Sequence, residues 1–154
     1  MTFRGPIRCR ANMDLVTDAS ALIGELLRER GRRLLRDRRN SFYIAAHTLS
    51  EVRHELPRRV SERARHGHYP YGTAADALSV ALHVLGDYAA VMPVTLYADF
   101  EIVAWRRVPP DPRDWPTVAL VLALEAGIWT ADADFLGCGV PTWTTETLLL
   151  DADA

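Results

Sequence analysis

Short apolar runs alternate with longer amphipathic stretches along this chain, and the pattern predicts strands that alternate with helices. Several of the apolar runs are rich in β-branched residues, which is typical of buried strands in a parallel sheet. We expect strands at 15–17, 42–45, 91–94 and 141–143, and a short strand between the turn at Gly127 and Asp132. Strands that alternate with helices indicate an α/β fold built on a parallel sheet.

The intervals between these runs carry apolar residues at helical spacing. We predict helices over 19–36 with a break at Gly31, from Thr48 or Ser50 to 66 with a kink at Pro57, from Thr73 through Leu85, over 95–107, over 117–126, and from Thr144 or Thr145 to 150. The helix over 117–126 is apolar on nearly every side, so we expect it to be buried. Asp114 is expected to cap this helix with its carboxylate, and Gly127 to provide the turn after it.

Length and composition describe a single globular domain. The chain has 154 residues, 49% of them hydrophobic and 25% charged, which suits one core. We predict one domain over 13–150 and a disordered extension over 1–12. No apolar run approaches the roughly 18 residues of a membrane span, and residues 1–12 lack the apolar centre of a secretory signal. Two cysteines are too few for a disulfide framework or a zinc site; we expect a cytoplasmic protein.

The charges are unevenly distributed along the chain. All 18 basic residues are arginine; residues 1–75 hold 15 of them against 8 acids, whereas residues 76–154 hold 3 against 12 acids. A basic half of this kind can attract a polyanion. The alternative is that the arginines only solvate two helices.

Five acids stand where predicted strands end or helices begin: Asp18, Glu51, Asp114, Asp132 and Asp134. The carboxyl ends of parallel strands point to one edge of the sheet, so Asp18 and Asp132 meet there if their strands are adjacent. Glu51 and Asp114 open helices that begin near the same edge. Carboxylates this close together cannot all stay ionised without a cation.

An all-oxygen cluster of this kind prefers Mg²⁺ or Mn²⁺ to zinc. Such an ion can activate water and offset the charge of a phosphoryl transition state. The constellation therefore suggests hydrolysis of a phosphodiester.

Four segments carry a resemblance to a known family: 16–20 (VTDAS), 50–52 (SEV), 111–116 (DPRDWP) and 129–135 (WTADADF), the last followed by 139–145 (GVPTWTT). With these, the chain resembles the PIN-domain ribonucleases, of the kind found as the toxin in VapBC toxin–antitoxin pairs. The resemblance implies three α/β/α layers around a mainly parallel sheet of four to five strands. It also implies metal-dependent cleavage of single-stranded RNA, an antitoxin partner and a possible homodimer.

Carried onto this chain, the resemblance assigns roles to individual residues. Asp18, Glu51, Asp114 and Asp132 would be catalytic; Asp18, Asp114, Asp132 and Asp134 would hold Mg²⁺ or Mn²⁺; Ser20 and Thr130 would be polar supports. Glu55 lies one turn beyond Glu51 on the same helical face and could replace it. Among the arginines, Arg28, Arg32, Arg53 and Arg58 are our candidates for binding RNA phosphates.

Two other functions are compatible with the same residues. A non-catalytic module could use the arginine-rich face to bind RNA or a protein. A nuclease acting on DNA is also possible, because a metal cluster does not itself distinguish the two sugars.

Overall fold

Five parallel strands form one sheet at the centre of the protein. A computed structural model describes residues 12–70, 72–108 and 111–152 of the chain. The strands are β1 (Met13–Thr17), β2 (Asn40–Ala45), β3 (Ala89–Met92), β4 (Gly127–Trp129) and β5 (Thr142–Trp143). They lie in the order β3-β2-β1-β4-β5, and every neighbouring pair is parallel. This architecture confirms the predicted α/β fold.

The central strand, β1, explains the layering. Leu15 and Val16 are both fully buried, and because successive side chains of a strand point to opposite faces, they enter two different cores. Leu15 packs in a core with Leu22, Val52 and Trp129. Val16 packs in the other core, which the residues of the helix over 115–124 dominate. Helices therefore cover both faces of the sheet, in three layers.

Eight α-helices surround the sheet within the described residues. They are α1 (Ala19–Glu25), α2 (Glu29–Arg36), α3 (Ala46–Arg65), α4 (Ala74–Tyr88), α5 (Val94–Tyr97), α6 (Glu101–Arg107), α7 (Trp115–Leu124) and α8 (Thr145–Ala152). Short 3₁₀ segments lie at Ala98–Phe100, Pro112–Asp114 and Ala133–Phe135. The helix α7 is buried over 116–121, as its apolar sequence predicts.

The first helical stretch is broken three residues earlier than predicted. The chain leaves α1 after Glu25 and re-enters a helix at Glu29, so Gly31 lies inside α2 rather than at the break. A Cβ atom at position 31 would clash with the Cβ and carbonyl of Glu25, and would lie 2.7 Å from its carbonyl carbon. Gly31 is therefore needed for the close approach of α2 to the end of α1, not for the break itself.

Other predicted boundaries were wrong for local reasons. The strand predicted over 91–94 ends at Met92, because Pro93 leads into α5. The helix α3 begins at Ala46 without a side-chain cap, and it continues through Pro57.

The turn after α7 lies at Glu125, which adopts a left-handed φ of 52°. Gly127 instead faces the Trp143 indole, which a Cβ would approach to 3.2 Å.

None of the described helices combines the length and the apolar character that crossing a lipid bilayer requires. The predicted extension over 1–12 lies, except for Asn12, outside the described residues. The domain boundaries remain a prediction.

Candidate active site

Asp18 stands between β1 and α1, at the carboxyl edge of the sheet. Its backbone N–H donates to the carbonyl of Trp129 at 3.0 Å, which ties the end of β1 to the end of β4. Its carboxylate caps α1 by accepting the Ser20 N–H at 3.2 Å. Only 6% of the residue is exposed. A carboxylate held this firmly, at the meeting point of two strands, lies where ligands of open α/β sheets usually bind.

Two hydroxyl groups hold the Asp18 carboxylate in place. The hydroxyls of Ser20 and Thr130 both donate to its Oδ2 atom, the Thr130 bond being 3.0 Å long. Each hydroxyl oxygen also accepts a backbone N–H, from Ala131 to Ser20 at 3.2 Å and from Asp132 to Thr130 at 2.9 Å. The network thus joins Asp18 to the segment that follows β4.

Asp132 begins the 3₁₀ segment after β4. Its Oδ1 atom accepts the N–H of Asp134 at 2.9 Å, and the side chain is half-buried. The predicted convergence of Asp18 and Asp132 therefore follows from the adjacency of β1 and β4. Asp134 differs, because its carboxylate is exposed and makes no hydrogen bond or ion pair with any part of the chain that the structure describes.

Asp114 precedes α7, but its carboxylate does not cap the helix. Its backbone is right-handed (φ −79°, ψ −1°), and no side-chain cap hydrogen bond forms. The cap predicted for this residue was wrong, because an accepting cap residue needs extended backbone. Pro116 does lie in the first turn, as expected. The consequence is that the half-buried Asp114 carboxylate faces the other acids instead of the helix.

Electrostatics show which acids share this site. Burial, followed by the charges of Asp18, Asp111, Asp132 and Glu51, raises the pKa of Asp114 to about 7. Burial also raises the pKa of Asp18, against the hydrogen bonds from Ser20 and Thr130. Burial and, for Asp114, repulsion by the neighbouring acids therefore favour the protonated form of these carboxyl groups.

The structure distinguishes Glu51 from Glu55. Partial burial and then the charge of Asp18 raise the pKa of Glu51, although much of the residue is exposed. Glu55 instead accepts a hydrogen bond from Arg58 at 3.2 Å. Glu51 is thus the member of the pair that lies among the other acids.

Sequence reasoning assigned no role to the residues that surround Glu51 and Asp114. Both acids line a cavity of about 430 Å³, together with His47, Ser50, His54, Asp111 and Arg113. Arg113 donates to both carboxylate oxygens of Asp111, at 3.0 and 2.9 Å. The sequence over 111–116 did contain a sign of this arrangement. Asp111 and Arg113 lie two residues apart there, a spacing that allows a local ion pair beside the predicted site.

The four arginines proposed for RNA binding occupy different surroundings. Arg32 bonds Glu29 at 2.8 Å and the Leu26 carbonyl at 3.0 Å. Arg58 contacts Glu55, and Arg53 is exposed on α3. Arg28 lines a cleft together with Ser20, whose hydroxyl donates to the Asp18 carboxylate.

The donor set fits a hard divalent cation. All the nearby acids offer oxygen atoms, which suits Mg²⁺ or Mn²⁺. Within the described ranges, no three carboxylate, imidazole or thiol groups lie close enough together to hold an ion as they stand. This is compatible with Mg²⁺, which commonly takes one or two carboxylates and keeps several waters.

We expect the metal-free protein to lose stability as pH rises. Asp114 has a pKa of about 7 in the folded protein, against an ordinary value of 3.8, so the folded state binds the proton more tightly than the unfolded state does. The stability that this proton contributes is lost as the pH rises from about 4 through 7. This difference in pKa corresponds to about 4 kcal/mol in the free energy of unfolding. Because the carboxyl is half-exposed, solvent screening reduces the expected effect to about 1–2 kcal/mol. Urea unfolding in EDTA at about pH 5 and pH 8 measures this.

The control for this experiment is Asp114→Asn, in which the pH dependence should flatten. Added Mn²⁺ should reverse the trend for the wild type, because a cation favours the ionised acids. A wild-type protein in EDTA that is more stable at the higher pH would contradict the described acid cluster.

The fold and the site together define a class of protein: a parallel α/β sheet whose carboxyl edge carries a cluster of interacting acids. The family model of the PIN domain matches residues 16–153. The chain therefore belongs to the PIN-domain family, whose members are generally nucleases that use divalent metal ions.

A solved structure supports the same fold. The chain is similar to the protein in the crystal structure of PAE2754 from Pyrobaculum aerophilum, with a TM-score of 0.62, 19% identity and 99% of each chain covered. At this identity the likeness shows the fold alone. No curated protein matches the chain.

Proposed function

We propose that this protein is a divalent-metal-dependent endoribonuclease that hydrolyses phosphodiester bonds of single-stranded RNA. The observation that carries the proposal is the gathering of Asp18, Asp114, Asp132 and Glu51 at one edge of the sheet, where burial and then the charges of the neighbouring acids raise the pKa of Asp114 to about 7. A protein without a cation to bind gains nothing from such a cluster, since it costs folding stability at neutral pH. Membership of the PIN-domain family supports the assignment.

In this proposal, Asp18, Asp114 and Asp132 hold Mg²⁺ or Mn²⁺, one or two of them directly and the rest through water bound to the ion. Asp134 is an additional ligand, with the weakest support, because its carboxylate is exposed. When bound, such an ion lowers the pKa of water and offsets negative charge on the phosphoryl group. Ser20 and Thr130 fix the Asp18 carboxylate, so that it does not reorganise when the substrate arrives.

Glu51 is the proposed proton acceptor. Its raised pKa makes the carboxylate a stronger base than an ordinary glutamate, which suits removal of a proton from the attacking water. It lines the cavity beside Asp114, where a water and a phosphodiester have room. Glu51 is a proton acceptor here rather than a metal ligand.

Cleavage of a labelled single-stranded RNA tests the proposal. We expect turnover with Mg²⁺ or Mn²⁺, and loss of at least about a hundredfold in EDTA, because the remaining groups cannot supply the charge stabilisation of the ion. Restored turnover after the ion is returned completes the test. RNA binding that is insensitive to EDTA, without turnover under any condition, would instead indicate the non-catalytic module.

A DNA strand of the same sequence provides the control for substrate class. Preferential cleavage of the DNA would replace the ribonuclease proposal with the DNA-directed alternative. We expect the RNA to be preferred, on the grounds of the resemblance to PIN-domain ribonucleases.

The biological role we propose is that of the toxin of a type II toxin–antitoxin pair, with a cognate antitoxin protein as partner. The resemblance in the segments 111–116 and 129–145 supports this role. Growth arrest on expression, relieved by a co-expressed neighbouring gene product, would support it, and unaffected growth with active enzyme would contradict it.

We also propose a homodimer, formed through α6. Ile102, Val103 and Trp105 are exposed by 70%, 44% and 47%, and an apolar surface of this kind marks an interaction site. The apolar residues lie between Glu101 and Arg106, which line the same shallow cavity of about 300 Å³. About a two-fold axis, two antiparallel copies of α6 place each acid near the partner's base, so a second copy of this chain is the complementary occupant.

The expected result is a dimer in solution that Trp105→Glu converts to a monomer, because the change buries an uncompensated charge in the interface. Light scattering after gel filtration measures the mass. Leu136→Glu, at a residue exposed by 67% elsewhere on the surface, is the matched control and should leave the dimer intact. A monomeric wild type, or a dimer that survives Trp105→Glu, would refute this interface.

A further inference from the structure

Beside the acid cluster lies a cleft that no assigned role explains. It is a cavity of about 260 Å³ lined by Ser20, Ile23, Gly24, Arg28, Arg59 and Arg63. The cleft is formed between α1, which carries the first three of these residues, and α3, which carries the last two. A Cβ atom at Gly24 would meet nothing within 4 Å, so this part of the wall is open.

The charges around the cleft are unbalanced. Arg59 and Arg63 lie one turn apart on α3, and neither forms an ion pair with any described residue. Arg28 contacts Glu25 at 3.4 Å, but that carboxylate is already bonded by Arg30 at 2.6 Å. No acid lines the cleft, so three guanidinium groups border it without a carboxylate between them. Like charges arranged in this way are relieved by an anion.

The cleft is continuous with the catalytic site through one residue. Ser20 lines the cleft, and its hydroxyl donates to the Asp18 carboxylate. An anion in the cleft therefore lies next to the acid cluster, although the cluster itself repels anions. A chain of linked phosphates can satisfy both regions, because one phosphate can bind the arginines while the neighbouring phosphate binds at the acids through their cation.

We propose that Arg28, Arg59 and Arg63 form a binding subsite for a backbone phosphate of the single-stranded RNA, adjacent to the phosphodiester that is cleaved. Guanidinium groups bind phosphate and carboxylate oxygens alike through paired hydrogen bonds. We choose RNA because its linked phosphates also place a neighbouring phosphate at the cation-binding acids. This inference rests on the proposed function for its substrate. It replaces a general arginine-rich face with a defined cleft, and of the four arginines proposed from the sequence it retains Arg28.

The test is the salt dependence of RNA binding, measured by fluorescence anisotropy in EDTA. Because no divalent ion is present, the readout does not depend on hydrolysis, so a failure of the proposed chemistry and a failure of the subsite are distinguishable. We expect Arg59→Ala/Arg63→Ala to weaken binding of a labelled single-stranded RNA by about tenfold or more. The slope of log affinity against log salt should fall by about 0.7, the value for the one phosphate charge that the protein no longer neutralises.

The matched control is Arg33→Ala/Arg38→Ala, which removes the same charge from α2 and from the loop before β2, away from the carboxyl edge of the sheet. This control should change the affinity for RNA by less than about threefold. It should leave the slope of log affinity against log salt near that of the wild type. The variant Arg59→Lys/Arg63→Lys should keep most of the slope, since the charge remains, while losing part of the affinity with the guanidinium geometry. Thermal unfolding of each variant verifies that the fold is retained.

Three results would overturn the proposal. The first is equal loss of affinity in the cleft variant and the control variant. The second is wild-type protein that does not bind RNA in EDTA at low salt. The third is competition in which a polyglutamate peptide displaces the RNA more effectively than unlabelled RNA does, which would assign the cleft to an acidic protein segment.

Discussion

Replacing Asp18 with asparagine should reduce RNA cleavage by at least about a thousandfold while leaving the protein folded. The loss is expected because the change removes a negative charge from the centre of the cation site. The fold should survive because the asparagine carbonyl can still accept the hydroxyls of Ser20 and Thr130. Burial already raises the pKa of the Asp18 carboxyl, so a neutral group is easier to bury there than the charged one. Cleavage of labelled RNA, with circular dichroism and thermal unfolding of the same samples, measures both effects.

Asp132→Asn should show the same loss, since it removes the negative charge of a second proposed cation ligand, at the end of the neighbouring strand. The matched control is Asp76→Asn, at an exposed acid in the first turn of α4, which should keep cleavage within about twofold. Full activity in both Asp18→Asn and Asp132→Asn would refute the assignment of these acids, whatever the control shows.

Thr130→Val is the second change with a large expected effect. Thr130 is 3% exposed, and its hydroxyl both donates to Asp18 at 3.0 Å and accepts the Asp132 N–H at 2.9 Å. Valine keeps the shape but leaves that N–H without its acceptor, which should lower the free energy of unfolding by about 1–3 kcal/mol. Because both acids lose a positioning hydrogen bond, cleavage should fall by about 10–100-fold. Urea unfolding and RNA cleavage are the two measurements.

Thr130→Ser is the control, because serine retains the hydroxyl and removes only a methyl group. It should recover most of the activity, with a modest loss of stability from the missing methyl. If Thr130→Val and Thr130→Ser were equally active, the hydroxyl would not be a positioning group and the network would have only a structural role.

The acids at the strand ends could be predicted because the topology of a parallel sheet is itself predictable. Once β1 and β4 are adjacent, Asp18 and Asp132 must lie at one edge. Asp114 was correctly placed near them but for the wrong reason, since its backbone is right-handed and its carboxylate does not cap α7. The place of Asp114 before α7 could be predicted from the sequence. The direction of its carboxylate could not, because that direction depends on a backbone angle that the sequence does not specify.

The basic cleft could not be predicted in the same way. Arg59 and Arg63 share a helical face, but which of the many arginines have acid partners depends on packing between α1 and α3. Arg58, adjacent in sequence, is occupied by Glu55. The sequence also could not decide between Glu51 and Glu55. The two acids lie one helical turn apart, and only the packing shows that Glu51 lies in the acid cluster while Glu55 pairs with an arginine.

We expect the carboxylates at the edge of the sheet to capture one hard divalent ion. Anomalous diffraction from a crystal soaked in Mn²⁺ tests it most directly. We predict a Mn²⁺ peak within ligand distance of Asp18 and at least one of Asp114 and Asp132, directly or through ordered water. A crystal whose Mn²⁺ binds elsewhere, with these three side chains left without an ion while the same protein cleaves RNA in the presence of Mn²⁺, would contradict the account.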